Sequence, residues 1–440
     1  MPRRTDILFL AMVAVLPLHT VFLSAWISWK PFLVILVLLV LVDIREGLHS
    51  RAWPWHRRIT LAAIPFLVVI AIGYPEAAYR ERYFRLLLAI LVGLAVLLVS
   101  ERRLRGRELA GRALRVVFWT AAAMGVTAVL TSLLAVGVFG ESAIAAVNDI
   151  PGVFRVSKPA YLTSGFLALT NWHQDPGYGA SWATLWAALA FLASLKGLGS
   201  GRRWLDGIVL GGLGFWVVMA FSRTGWLAYP IALLAASFLM SRRGGIRWSE
   251  IAVRLGSAAL TIALLVGGVF ALDPENVGGD LDLQFAFRLS QGWDLLADLT
   301  GLFERSDSTA FADRFDMSEQ RADVWPEYLD MFRENPVLGV GLGVGWETNS
   351  IRQEPHNLVL ELLAETGVVG AVTFAVLLAV ILVVGSGLTG SLAVFAAFLP
   401  AMTQTVLFEP AWWFAAALFV AGVGVGEGPK ELSEVRLVVE

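Results

Sequence analysis

Long stretches without a charged side chain are the feature that most limits how this chain can fold. A helix of roughly 20 apolar residues spans a bilayer, and shorter runs suffice where flanking side chains reach the interface. The sequence 385–390 is turn-like and divides the longest stretch in two. We therefore predict an all-α integral membrane protein with about 12 transmembrane helices. The uncharged stretches are 7–29, 31–42, 59–75, 86–100, 116–140, 176–195, 207–222, 224–241, 255–272, 366–408 and 410–426.

The composition agrees with a polytopic membrane protein. Hydrophobic residues make up 57% of the chain and charged residues 16%, with a mean hydropathy of +0.69, which soluble domains rarely reach. The chain has no cysteine, so disulfides and thiolate metal sites are excluded. Stretch 7–29 has the charge pattern of a signal peptide, but it is too long and lacks a clear cleavage site. We interpret it as an uncleaved first helix.

The basic residues set the predicted orientation. With the N-terminus in the cytoplasm, most of the 34 lysines and arginines fall in cytoplasmic segments. Both termini are then cytoplasmic. The long segments 141–175 and 273–365 lie outside, and the second is strongly acidic. The predicted organisation is helices 1–9 in 1–272, a catalytic loop in 273–365, and helices 10–12 with a cytoplasmic tail in 366–440.

The long external loop is predicted to be partly helical. Val324, Tyr328 and Met331 recur at helical spacing, and Asn335-Pro336 stops the pattern. The glycines that follow read NPVLGVGLGVGW. A Walker or Rossmann phosphate loop is not favoured, because no Lys-Ser/Thr and no strand–turn–helix context accompany them. The glycines instead let a tight loop pass close to other backbone or to a ligand.

A few polar side chains at the outer face could carry chemistry. Arg223 lies between helices 7 and 8, where an arginine either reaches the interface or meets a partner such as an anionic substrate. Arg321 in the loop is a candidate of the same kind, or a solvated-face residue. Asp175 precedes helix 6 and could cap it, and His173 lies beside Asp175. Arg155 and Lys158 could face the same cavity.

His356 is the strongest candidate for a general base. Pro355 precedes it, and an apolar helical pattern follows and ends at Gly367. A helix N-terminus disfavours imidazolium and keeps the ring neutral near pH 7, as a base requires. The alternative is a histidine that only caps the helix. No H-E-x-x-H motif or second histidine at ligand spacing accompanies it, so a metal site is not favoured, although carboxylates alone could bind a divalent cation. No cofactor is expected.

These elements occur together and in order: SRTG opening a helix, R-x-x-x-W in a long external loop, ENPVLGVGLG, and HNLVLELLAETGVVGAV. The combination resembles the O-antigen ligase family, whose polymerase relatives share the same core. The resemblance implies a GT-C-like fold in the bacterial inner membrane, with the active site facing the periplasm. It also implies transfer of a glycan from undecaprenyl diphosphate to the lipid A core oligosaccharide. Membrane lipids surround such an enzyme, and no nucleic acid is involved.

By this resemblance, Arg223 and Arg321 hold the diphosphate and His356 is the catalytic base. Arg155, Lys158, His173, Asp175 and Asn357 are further candidates for binding the diphosphate or the sugar. A polymerase or a protein-glycosylating ligase of the same superfamily remains open, because acceptor choice depends on loop shape. A transporter is less favoured, because it would place ionisable residues in the middle of helices.

Overall fold

The computed structural model describes thirteen helices and one short hairpin over part of the chain. The described residues are 4–17, 21–24, 27–29, 31–50, 53, 55–73, 79–135, 176–220, 223–272, 317–349, 355, 357–385 and 410–421. The elements are α1 Arg4–Val15, β1 Val21–Ser24, β2 Ile27–Trp29, α2 Pro31–Ser50, α3 Arg57–Gly73, α4 Arg80–Leu104, α5 Arg107–Ala135, α6 Pro176–Leu195, α7 Arg203–Met219, α8 Arg223–Gly244, α9 Trp248–Leu272, α10 Met317–Glu334, α11 Val344–Thr348, α12 Leu358–Val384 and α13 Pro410–Val420.

Four of the described helices, α4, α5, α9 and α12, are long and apolar enough to cross a membrane. The described part of the chain is therefore that of a mainly α-helical membrane protein. Described helices overlap the predicted stretches except in the second half of 366–408, which lies outside the described residues. The count of twelve transmembrane helices stays a prediction.

The stretch 7–29 is not one helix, and that expectation was wrong. The first helix, α1, ends at Val15, and β1 and β2 form an antiparallel hairpin in which Val21 pairs with Trp29. Pro17 explains the end of the helix, because proline lacks an N–H and disfavours helical geometry in the residue before it. The β-branched and aromatic residues that follow favour strands.

Charged side chains that border the short apolar stretches are buried in pairs. Asp43 of α2 is fully buried and pairs with Arg102 at 3.3 Å and with Arg103, both on α4. Asp206 of α7 lies 3.6 Å from Arg254 of α9, and both side chains are at least nine-tenths buried. Pairing offsets the cost of removing these charges from water, so the helices continue beyond their uncharged segments.

Helix α7 lies at the centre of the bundle, packed against α5, α6 and α9. Its glycines allow the close approach. A Cβ on Gly207 would lie 2.5 Å from the carbonyl oxygen of Arg254, and one on Gly211 would lie 2.5 Å from Thr261. Small residues four apart let membrane helices bring their backbones together.

Replacing Gly211 with leucine is expected to force α7 and α9 apart and lower stability by about 1–3 kcal/mol, the usual cost of overpacking. Thermal unfolding of the detergent-solubilised protein measures this as a drop in Tm. The matched control is Gly256→Leu on α9, where an added Cβ meets no atom within 4 Å. Equal Tm losses in the two variants would contradict the close packing.

Candidate functional site

Helix α12 consists of two helices that meet at Gly367. The backbone there has φ 64° and ψ −173°, which is not helical. Only glycine adopts this region readily. The helical pattern after His356 was predicted to end at Gly367, and the structure confirms that end. A break in a helix leaves carbonyls of the preceding turn and amides of the following turn without helical partners.

The glycine segment, residues 335–343, supplies those partners. Two of its amides donate to the carbonyls before the break, and two of its carbonyls accept from the amides after it. The four hydrogen bonds are Val340 N–H to Ala364 O (2.9 Å), Gly341 N–H to Glu365 O (2.9 Å), Val368 N–H to Pro336 O (2.9 Å) and Val369 N–H to Val337 O (3.2 Å). We call this arrangement the junction. It satisfies a broken helix without using any side chain.

Glycine is required where the two backbones meet. Gly339 has a φ of 70°, and a Cβ there would lie 2.3 Å from the carbonyl carbon of Glu365. A Cβ on Gly367 would lie 2.3 Å from the carbonyl carbon of Val337. The close approach to other backbone that was predicted for the glycines of residues 335–346 is confirmed at Gly339.

Helix α10 packs against the first half of α12. Val324 and Tyr328 form a buried apolar cluster with Leu360 and Ala364. The helix ends at Glu334, so its predicted spacing and its stop at Asn335-Pro336 are confirmed. Helix α10 and the glycine segment therefore both contact α12 near Ala364.

Both neighbours of His356 are fixed by hydrogen bonds, although His356 itself lies outside the described residues. The indole N–H of Trp325 donates to the carbonyl of Pro355 at 2.8 Å, and Pro355 is buried. Asn357 is the N-cap of α12. Its Oδ1 accepts from Val359 N at 3.1 Å and from Leu360 N at 3.2 Å. Position 356 is therefore placed directly before a capped helix N-terminus.

Replacing Asn357 with alanine is expected to lower the free energy of unfolding by about 1 kcal/mol, because α12 loses its side-chain N-cap. Asn357→Ser keeps a capping oxygen and should retain the wild-type Tm and transfer rate. Thermal unfolding and a transfer assay measure the two effects separately. If Asn357→Ser kept its Tm yet lost transfer as fully as Asn357→Ala, the side chain would contact substrate directly, and capping alone would not explain its role.

Arg321 lies in the first half of α10, four residues before Trp325 in the sequence. Arg223 is the first residue of α8. One turn later the indole N–H of Trp226 donates to Val218 O at 3.2 Å, which fixes the start of α8 to the end of α7. The side chains of both arginines lie outside the described residues, as do Arg155, Lys158, His173 and Asp175 entirely.

Sequence reasoning missed Arg82, in the first turn of α4. Its guanidinium carbon lies 4.5 Å from the centre of the Trp346 ring, and its Nη1 lies 3.7 Å from the Glu347 carboxylate. A Cβ on Gly343 would lie 2.9 Å from the Arg82 side chain. The available signal was the basic cluster YRERYFR at the predicted outer end of an apolar stretch. Arg82 joins α4 to the end of the glycine segment.

Two carboxylates are buried in the first half of α12. Glu361 and Glu365 are 6% and 3% exposed, and a spacing of four residues places them on one helix face.

Comparison with known proteins finds a similarity for part of the chain. Residues 208–375 match the family model described as O-antigen ligase. The match covers less than half of the chain, and this region is similar to the O-antigen ligase family. No curated protein matches the chain. Members of the O-antigen ligase and polymerase superfamily are glycosyltransferase-like enzymes that act on lipid-linked glycans.

The region that matches the O-antigen ligase model begins within α7 and ends in the second half of α12. It contains Arg223, α10, the glycine segment, the capped start of α12 and the break at Gly367. The junction therefore lies entirely inside the matched region. Arg82 lies outside it, in the part of the chain that the family model does not cover.

Proposed function

We propose that this protein is an O-antigen ligase that transfers a glycan from undecaprenyl diphosphate to the lipid A core oligosaccharide. The supporting observation is that the region matched by the family model contains the junction. The matched region carries the hydrogen bonds that fix Pro355 and Asn357 on either side of His356, beside the helix that bears Arg321. The proposed site faces the periplasm of a bacterial inner membrane, within the loop 273–365, and both termini are cytoplasmic.

In the proposed reaction, the acceptor hydroxyl oxygen attacks the anomeric carbon of the donor sugar. The bond from that carbon to the diphosphate breaks, and undecaprenyl diphosphate leaves with the bonding electrons. His356, neutral at a helix N-terminus, takes the hydroxyl proton. Direct displacement inverts the anomeric centre. The fold proposed for this chemistry is of the GT-C type.

The leaving diphosphate gathers negative charge as the bond breaks. Arg223 and Arg321 are proposed to hold it, because a guanidinium fork matches phosphate oxygens and fixed charges stabilise a transition state in a poorly hydrated site. Arg155, Lys158, His173 and Asp175 are proposed to line the same cavity. The two arginines suffice for the charge, so transfer should continue in excess chelator, and its abolition by chelator would contradict this mechanism.

Deletion of the gene from its native host tests the function. A ligase predicts lipopolysaccharide without the glycan, together with accumulation of the full-length polymer on its lipid carrier. The alternative within the superfamily is a polymerase, which predicts lipopolysaccharide that still carries glycan but only in short chains. Electrophoresis of lipopolysaccharide and extraction of the lipid-linked pool distinguish these results. The second result would overturn the ligase assignment.

A further inference from the structure

An open groove runs between α1 and α5. It has a volume of about 490 Å³. Leu10 and Ala14 of α1 form one wall, and Val116, Trp119 and Ala123 of α5 form the other. The groove is therefore apolar over most of its length, and nothing in the proposed glycan transfer uses it.

One end of the groove is basic. Arg112 and Arg115 line it together, three residues apart on the same face of α5. Arg112 pairs with Glu108, whose side chain is 81% exposed, and exposed pairs of this kind are weak. Arg115 is exposed and pairs with no acidic side chain in the described part of the chain. The end of the groove thus carries net positive charge that a ligand can meet.

The part of α5 that lines the groove is about as long as the hydrocarbon layer of one leaflet is thick. From Arg112 to Ala123, α5 rises by about 16 Å, and half of a hydrocarbon core is about 15 Å. Helix α5 is one of the four described helices that are apolar enough to cross a membrane. In the proposed orientation, the arginines lie at headgroup depth, and the apolar walls run from there towards the middle of the bilayer.

We infer that this groove binds one anionic phospholipid, with its phosphate on Arg112 and Arg115 and one acyl chain between α1 and α5. Arginine binds phosphate oxygens through two parallel hydrogen bonds, and basic pockets between membrane helices hold anionic headgroups. A zwitterionic lipid lacks the net charge that the basic end matches, and a soluble phosphate leaves the apolar walls unused. In the proposed orientation the lipid belongs to the cytoplasmic leaflet.

Native mass spectrometry of the full-length protein in detergent tests this inference. Phosphatidylglycerol and phosphatidylcholine with the same acyl chains are titrated separately. One phosphatidylglycerol is expected to be retained at least tenfold more tightly than phosphatidylcholine. The double variant Arg112→Gln/Arg115→Gln should lose at least tenfold of this affinity. The matched control is Arg242→Gln/Arg247→Gln, which removes two exposed arginines at the end of α8 and the start of α9.

Two further measurements separate the lipid from other sources of binding. Ala123→Trp fills the apolar part of the groove and leaves both arginines, so it should also weaken phosphatidylglycerol binding. Glycerol phosphate, the soluble headgroup, should not displace the lipid at matched concentration. Equal affinities for the two lipids, equal losses in the two double variants, full binding by Ala123→Trp, or displacement by glycerol phosphate would each overturn the inference.

Discussion

Purified His356→Ala is expected to bind the lipid-linked donor as the wild type does and to transfer glycan about 10²–10⁴ times more slowly. Donor binding is retained because the arginines, not the imidazole, are proposed to hold the diphosphate. Transfer slows because the variant lacks the imidazole at position 356, which is proposed to accept the proton of the acceptor hydroxyl. Donor binding is measured by retention of labelled lipid-linked glycan, and transfer by the appearance of glycan on the acceptor.

Two sets of variants bracket this result. His49→Ala removes an exposed histidine of α2 whose ring contacts the Arg45 carbonyl of its own helix, and it should leave both measurements unchanged. Arg223→Ala and Arg321→Ala should lose donor binding, which His356→Ala is expected to keep. Turnover by His356→Ala at the wild-type rate would remove His356 from the mechanism, whatever the arginine variants do.

Gly367→Ala is expected to destabilise the protein by more than about 3 kcal/mol. The new side chain has to adopt a backbone conformation that costs about 1–3 kcal/mol outside glycine. Its Cβ also meets the carbonyl of Val337 at 2.3 Å. Moving that carbonyl away weakens the four hydrogen bonds of the junction, each worth about 0.5–1.5 kcal/mol. A large drop in Tm, with loss of transfer, is the expected measurement.

The matched control is Gly256→Ala, in the interior of α9 with open space around it. Alanine is favoured over glycine in a helix by about 0.5–1 kcal/mol, so this variant should be as stable as the wild type or more so. Gly339→Ala, on the other side of the junction, should behave like Gly367→Ala. A wild-type Tm for Gly367→Ala would show that the break in α12 is not needed by the folded protein.

The sequence predicted the helices of the loop because side-chain spacing carries that information. Val324 and Tyr328 repeat at helical spacing, and Gly367 marks the end of the pattern that follows His356. It could not predict that the glycine segment pairs with the break in α12. Those hydrogen bonds join backbone atoms, and backbone atoms leave no pattern of residue types that names their partner.

Two other differences have identifiable causes. The uniform apolar composition of 7–29 predicts one helix, whereas Pro17 ends α1 near Val15. Basic residues near membrane helices indicate orientation, so the sequence pattern does not distinguish Arg82 as a residue of the site. An arginine can set orientation and still contact the site, as Arg82 does through Trp346 and Glu347.

The backbone character of the junction separates two kinds of position in the glycine segment. Val337 and Leu338 have exposed side chains, and Val337 bonds α12 through its main-chain carbonyl. Their side chains can therefore be exchanged widely without altering the break, whereas Gly339 and Gly367 tolerate no exchange. A saturation library over 336–341 and at 367 should show this contrast, with many residues accepted at 337 and 338 and only glycine at 339 and 367.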